Sequence, residues 1–176
     1  MSGHVILSHG SDSGPEATKV SALARVAGSL GWTTFNPDYR EDDARGYAGA
    51  VPPRVDRLVE AMRDAPRPLV LAGSSMGAFV SGLASLRAPC DGLFLVALPT
   101  MIPECAQPFD MAANVPAMLV HGYEDTLCPV LAAQAFARMR GMPALLLPDD
   151  HRLAMHVPEI ERQFRGFLGS VSKRAD

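Results

Sequence analysis

The 176-residue sequence predicts an α/β fold: a three-layer domain of about six mainly parallel strands with helices on both faces. Three observations carry this expectation. Six apolar runs of strand length alternate with stretches of helical period. Four of the runs are apolar almost throughout instead of alternating, as expected of strands covered on both faces in a parallel sheet. The length suits one hydrophobic core, and no linker, repeat or low-complexity segment divides it, so residues 1–176 are expected to form a single domain.

The first strand is HVILSH (4–9), which runs into the glycine-rich SHGSDSG. SGPE (13–16) has the form of a capping box, after which Val20, Leu23, Ala27 and Leu30 share one helical face until Gly31. WTTFNP (32–37) is the second strand, and the charged stretch carrying Asp38, Asp42 and Asp43 reads as a solvated loop. Val55, Leu58, Val59 and Met62 form a second helical stripe leading to the strand PLVLAG (68–73). Residues 76–86 carry Gly77, Ala78, Gly82 and Ala84, small side chains suited to a helix packed close against a sheet. DGLFLVAL (91–98) follows as a strand. A helix is due next, but prolines interrupt 99–116, PTMIPECAQPFDMAANVP, and such an irregular segment at a sheet end is more often functional than structural. PAMLVHG (116–122) and PALLLP (143–148) are the last strands, separated by an alanine-rich helical stretch at 130–140. Ile160, Phe164, Phe167 and Leu168 mark the final helix.

Composition excludes several functions. With 20% charged residues and a net charge of −3, the chain lacks the basic footprint of a nucleic-acid binder. Its start, MSGHVILSHGSDSG, has no basic segment, and its apolar run is too short for a secretion signal or a membrane span. Cys90, Cys105 and Cys128 are odd in number and widely spaced, which argues against a disulfide framework and for a reduced, cytoplasmic protein. No H-E-x-x-H, G-K-[ST] or G-x-G-x-x-G pattern occurs, so neither a metal nor a nucleotide cofactor is expected. Oligomeric state is left open.

In open parallel sheets, ligands bind beyond the carboxyl ends of the strands. Those ends carry His9-Gly10-Ser11, Ser74-Ser75, Tyr123-Glu124-Asp125 and Asp149-Asp150-His151. They deliver a glycine turn, a serine, an acid and a histidine to one edge, the parts for nucleophilic acyl transfer in the order Ser…Asp…His. G-x-S-x-G fits only as Gly73-Ser74-Ser75-Met76-Gly77, so a nucleophile here is Ser75, with Ser74 filling the turn; the plain alternative is a small-residue turn from strand to helix. A base must lie just past a strand, which favours His151 over His156. His4 and His121 fall within strands, and His9 suits ordering the first turn. Among the acids, Asp125, Asp149 and Asp150 could each reach His151, while Glu124 reads as a solvated loop carboxylate.

Over nearly its whole length the chain resembles the α/β-hydrolases. The resemblance is carried by LSHGSDSG, the elbow GSSMG, HGYEDTLCP (similar to H-G-x-x-D-x-x-V-P) and DDHRL. It is strongest to the small capless esterases and thioesterases: the sequence starts at what would be the family's third strand and carries no inserted cap. The resemblance implies a serine hydrolase with Ser75 as nucleophile, His151 as base and Asp125 as the orienting acid. Backbone N–H groups of Ser11 and Met76 would bind the oxyanion. The 99–116 segment is long enough to cover Ser75, with Met101 and Phe109 as an apolar substrate rim beside Ile102 and Met111. The implied reaction is cleavage of a small carboxylic ester or thioester through an acyl-enzyme. The alternative is a catalytically silent binding or regulatory protein on the same fold.

Overall fold

Strand pairing explains the continuous apolar runs. The computed structural model describes residues 2–175 and contains one six-stranded sheet in which every neighbouring pair is parallel. The strands are β1 (His4–Ser8), β2 (Thr33–Phe35), β3 (Leu69–Ser74), β4 (Gly92–Val96), β5 (Ala117–Gly122) and β6 (Ala144–Leu147). Their order across the sheet is β2-β1-β3-β4-β5-β6. Six α-helices accompany them among the described residues, α1 (Thr18–Ser29), α2 (Arg40–Asp43), α3 (Gly46–Arg63), α4 (Met76–Ser85), α5 (Val130–Met139) and α6 (Val157–Ala175), with a 3₁₀ turn at Ala154–His156.

The two faces of each strand feed separate cores, as alternation along a pleated strand requires. Val5, Leu7, Val70, Ala72, Phe94 and Val96 pack with Val20 and Leu23 of α1 and Ile160, Phe164 and Phe167 of α6. Ile6, Leu69, Leu71, Leu93 and Leu95 pack on the other face with α3, α4 and α5. A run such as VIL in β1 therefore has no polar side to show, and each large side chain buried this way contributes roughly 1.5–3 kcal/mol. No separate cap domain stands over the sheet among the described residues, and none of their helices is long and apolar enough to cross a membrane.

Three expectations need correction. Residues 13–16 do not cap α1, which begins later: its N-cap is Ala17, with no side-chain cap bond, and the Ser13 hydroxyl donates to Gly10 O instead. The stretch after β2 is not a solvated loop. It contains α2, Asp42 is buried, and Asp43 pairs with the fully buried Arg54. Phe109 turns away from the sheet edge into the core, its ring 5.9 Å from that of Phe79 and 4.8 Å from that of Phe136. Gly82 makes room for it, since a Cβ there would lie 2.2 Å from the Phe109 ring.

The chain passes from β1 to β2 on one side and then returns to β3 on the other side of β1. The loops leaving β1 and β3 consequently lead to helices on opposite faces, α1 and α4. A crevice opens between them at the carboxyl end of the sheet.

Candidate active site

The turn from β3 into α4 begins the site. Ser75 adopts φ 55° and ψ −123°, a conformation that costs a non-glycine residue on the order of 1–3 kcal/mol and lifts its side chain clear of strand and helix. The flanking glycines are sterically required. A Cβ on Gly73 would lie 2.2 Å from Gly77 O, and one on Gly77 would lie 2.0 Å from Ser8 O. Backbone occupies both places, so the elbow can close only without those side chains. Ser74 is buried, whereas Ser75 opens onto the crevice.

The loops after β5 and β6 converge on the same point. Gly122 ends β5 so close to the β6 loop that a Cβ there would stand 2.3 Å from Asp149 O. Backbone bonds Tyr123 N–H to Leu147 O (3.0 Å) and Glu124 N–H to Asp149 O (3.2 Å) tie the two loops together. This joint brings Asp125 Oδ2 to 2.7 Å from His151 Nδ1, and His151 Nε2 to 3.0 Å from Ser75 Oγ.

The proton positions follow from the acceptors. Asp125 Oδ1 accepts the backbone N–H groups of Leu127 (2.9 Å) and Cys128 (2.8 Å), while Oδ2 accepts from His151 and also lies 3.2 Å from His121 Nε2. An ionised carboxylate only accepts, so Nδ1 carries the imidazole proton and Nε2 presents its lone pair to the Ser75 hydroxyl. Below the acid lies His121, fully buried, with Nε2–H donating to Cys128 O (2.8 Å); burial lowers its pKa and keeps it neutral. Burial, then Asp125, push the Cys128 thiol up to about 12, so this cysteine is no competing nucleophile at neutral pH.

The competing acids and histidine are engaged elsewhere. Asp149 Oδ2 pairs with His156 Nδ1 at 2.8 Å, and Asp150 Oδ1 accepts the Arg152 N–H at 2.7 Å. His156 therefore braces its own loop. Glu124 is exposed. His4 bonds Thr33 on the neighbouring strand (2.7 Å), and His9 orders the turn after β1.

That turn faces Ser75 from across the crevice. Gly10 passes so near that a Cβ on it would sit 3.4 Å from Ser75 Cβ. Ser11 lines the crevice there, and Met76 opens α4, where first-turn N–H groups have no intrahelical acceptor. The crevice measures about 790 Å³. Pro99, Met101, Ile102 and Pro103 form one wall and Leu127 and Cys128 another, so 99–116 reaches the site only through its first residues. Met101 lines the crevice and is exposed; Phe109 does not line it, and Met111 is buried in the core. A second hollow of about 480 Å³ lies at the amino end of β5 and β6, around Asn114, Arg140 and Gln163, away from the serine.

Two contributors escape the sequence pattern. Lys19 reaches over from α1 and donates to Arg152 O at 2.6 Å, anchoring the residue next to His151. Arg54 sits beneath the β1 turn and donates to His9 O (2.8 Å) and Gly10 O (3.2 Å). The signal for Arg54 was available: it lies on the apolar stripe of α3, between Val51 and Val55 and one turn from Leu58.

Comparison with known proteins places the chain in context. It is 44% identical to a Xanthomonas campestris pv. campestris protein assigned to the alpha/beta hydrolase superfamily, with TM-score 0.91 and coverage of 96% of this chain and 99% of that one. Est1E from Butyrivibrio proteoclasticus, solved with ferulic acid bound, shares 18% identity at TM-score 0.78, covering 97% of this chain and 90% of that one. Mouse alpha/beta hydrolase domain-containing protein 10 shares 17% at TM-score 0.79, covering 97% and 92%. At these two lower identities the likeness is one of fold. No protein-family model and no curated protein matches the chain.

Proposed function

Because the chain belongs to the alpha/beta hydrolase superfamily, we propose that it is a serine hydrolase cleaving a small carboxylic ester or thioester through an acyl-enzyme. The observation that carries this reading is the continuous line from Asp125 Oδ2 through His151 to Ser75 Oγ, at 2.7 and 3.0 Å, ending on a serine held in a strained conformation.

In this mechanism Ser75 Oγ attacks the substrate carbonyl carbon while His151 Nε2 removes its proton. Asp125 stays ionised and stabilises the imidazolium that forms, its other oxygen fixed by two backbone amides. The Ser11 and Met76 N–H groups hold the oxygen that gains negative charge, an interaction worth about 3–4 kcal/mol per donor in such sites. Collapse of the tetrahedral intermediate transfers the His151 proton to the departing alcohol or thiol. Water, activated by the same nitrogen, then releases the acid and restores Ser75. The wall of Pro99, Met101, Ile102 and Leu127 suits a short apolar acyl group.

The test is labelling with a fluorophosphonate probe, wild type beside Ser75→Ala. Rapid stoichiometric labelling of the first and none of the second is expected. A wild-type protein inert to the probe and to acetyl and butyryl esters would instead assign the fold to binding or regulation.

A further inference from the structure

Arg54 is completely buried, and a buried guanidinium persists only where its charge and its N–H groups are met. Asp43 meets the charge through Nε (2.7 Å) and Nη2 (2.6 Å), and the Tyr39 ring lies 4.6 Å from the guanidinium carbon. The remaining capacity goes to two consecutive carbonyls of the turn after β1, His9 O and Gly10 O. Neither Asp43 nor Tyr39 is near Ser75 in sequence, and an apolar side chain at position 54 would fill α3's stripe without any ion pair. The charge serves the turn.

Gly10 O receives unusual attention. It accepts from Arg54 Nη2 (3.2 Å), from Ser13 Oγ (2.9 Å) and from His9 Nδ1 (2.7 Å). The His9 tautomer is determined: its Nε2 accepts the Tyr39 N–H at 3.0 Å, so Nδ1 carries the proton. Burial lowers the pKa of His9 and holds it neutral in that role. Three donors thus pin one carbonyl. The Gly10–Ser11 peptide is trans, and in a trans peptide the N–H points opposite to the C=O. Fixing Gly10 O on the Arg54 side turns the Ser11 N–H away from Arg54, and Ser11 lines the same crevice as Ser75. Donors stacked on the carbonyl also polarise the peptide and make that N–H a stronger donor.

We propose that Arg54, with Ser13 and His9, is a positioning residue that aims the Ser11 N–H into the crevice as an oxyanion donor. This rests on the serine-hydrolase reading above. Arg54 touches no reacting atom; it acts through a peptide plane, and so its influence belongs to the transition state, when charge develops on the carbonyl oxygen.

The test compares Arg54→Lys and Ser13→Ala with wild type, measuring kcat and KM on p-nitrophenyl acetate. Lysine keeps the charge but cannot span Asp43 and two carbonyls with one ammonium. For Arg54→Lys, kcat should fall about 10- to 100-fold with KM within threefold, because a misaimed oxyanion donor forfeits part of a 10²–10³ effect. Ser13→Ala should show the same split at about three- to tenfold. Val55→Ala, on the same helix, serves as a control for lost stability alone and should retain wild-type kcat at temperatures where it is folded. Wild-type kcat in both test variants would overturn the inference, as would an equal kcat loss in Val55→Ala. If Arg54→Lys does not fold, Ser13→Ala decides by the same criterion. Fluorophosphonate labelling of wild type separates the two readings: no labelling sinks the hydrolase assignment, whereas labelling with undiminished kcat in the variants sinks only the role of Arg54.

Discussion

Replacing Asp125 with Asn should be more damaging than the loss of one charge suggests. Oδ1 accepts two backbone N–H groups, from Leu127 and Cys128 at 2.9 and 2.8 Å. Those amides cannot accept, so the Asn side chain must keep its oxygen there and turn its NH₂ toward His151. An NH₂ facing Nδ1 requires Nδ1 to be the unprotonated nitrogen, which moves the imidazole proton to Nε2. Nε2 would then donate to Ser75 Oγ rather than accept from it, and the proposed general base is lost. The opposite orientation of the amide would set its NH₂ against two N–H donors in a buried site, at roughly 1–3 kcal/mol for each unmet group. With the wrong tautomer dominant, kcat should drop about 10⁴-fold, equivalent to about 5.5 kcal/mol of barrier. Stability should fall by about 1–3 kcal/mol, since both backbone bonds survive but the NH₂ comes to face the His121 Nε2–H, 3.2 Å from the place of Oδ2. The assay is kcat on an acetyl ester together with the urea midpoint and the imidazole NMR tautomer of His151. Activity within tenfold of wild type, with Nε2 protonated, would refute the reasoning.

Other outcomes follow from single contacts. His151→Ala should lower kcat by about 10⁴ or more, whereas His156→Ala, which loses a bond to Asp149 and not to Ser75, should stay within about tenfold; equal losses would reverse the assignment of the base. Gly77→Ala should cost about 2–3 kcal/mol in urea denaturation because its Cβ would meet Ser8 O at 2.0 Å, while Gly28→Ala in open space on α1 should gain about 0.5–1 kcal/mol. His9 and His121 have pKa values depressed by burial, so the unfolded chain binds their protons first. Their contribution to stability is complete above the ordinary histidine pKa of about 6.5 and is lost as pH falls through the folded values, so Tm should decline between pH 7 and 5; an unchanged Tm over that range would contradict it. Met101→Ala should alter the acyl-length profile of kcat/KM over two to six carbons, and Phe109→Ala should lower Tm without altering that profile.

The sequence makes some of this arrangement easier to read than the rest. The adjacency of Ser75, Asp125 and His151 is legible because each follows a strand, and a parallel sheet puts all such ends on one edge. The continuous apolar runs reveal the two-sided core for the same reason. Phe109 is misread because its partner is a gap: only the missing side chain of Gly82, on another element, shows where the ring goes. The capping box fails because the Ser13 hydroxyl is engaged in donating to Gly10 O, and its oxygen does not accept from the first N–H groups of α1. Asp43 looks solvated because its partner, Arg54, lies 11 residues on, in a different helix. Local pattern records what a residue prefers, and these three were decided by partners brought near only by folding.

The segment that walls the crevice also closes on itself. Phe109 N–H donates to Thr100 O at 2.9 Å, and the Phe109 ring is sunk beside α4, so 101–108 is a loop pinched at its base. Its outer residues Pro103, Glu104, Ala106, Gln107 and Pro108 are exposed, yet Met101, Ile102 and Pro103 already border the serine. Chain inserted at 106–107 would be held at both ends by contacts that do not depend on its length, and each doubling of such a loop costs only about 0.6 kcal/mol of closure entropy. The fold thus carries a ready graft site in the same segment that walls its crevice. A lid of any size could be added there, by evolution or by design, and tried against new substrates without disturbing the strand that presents Ser75.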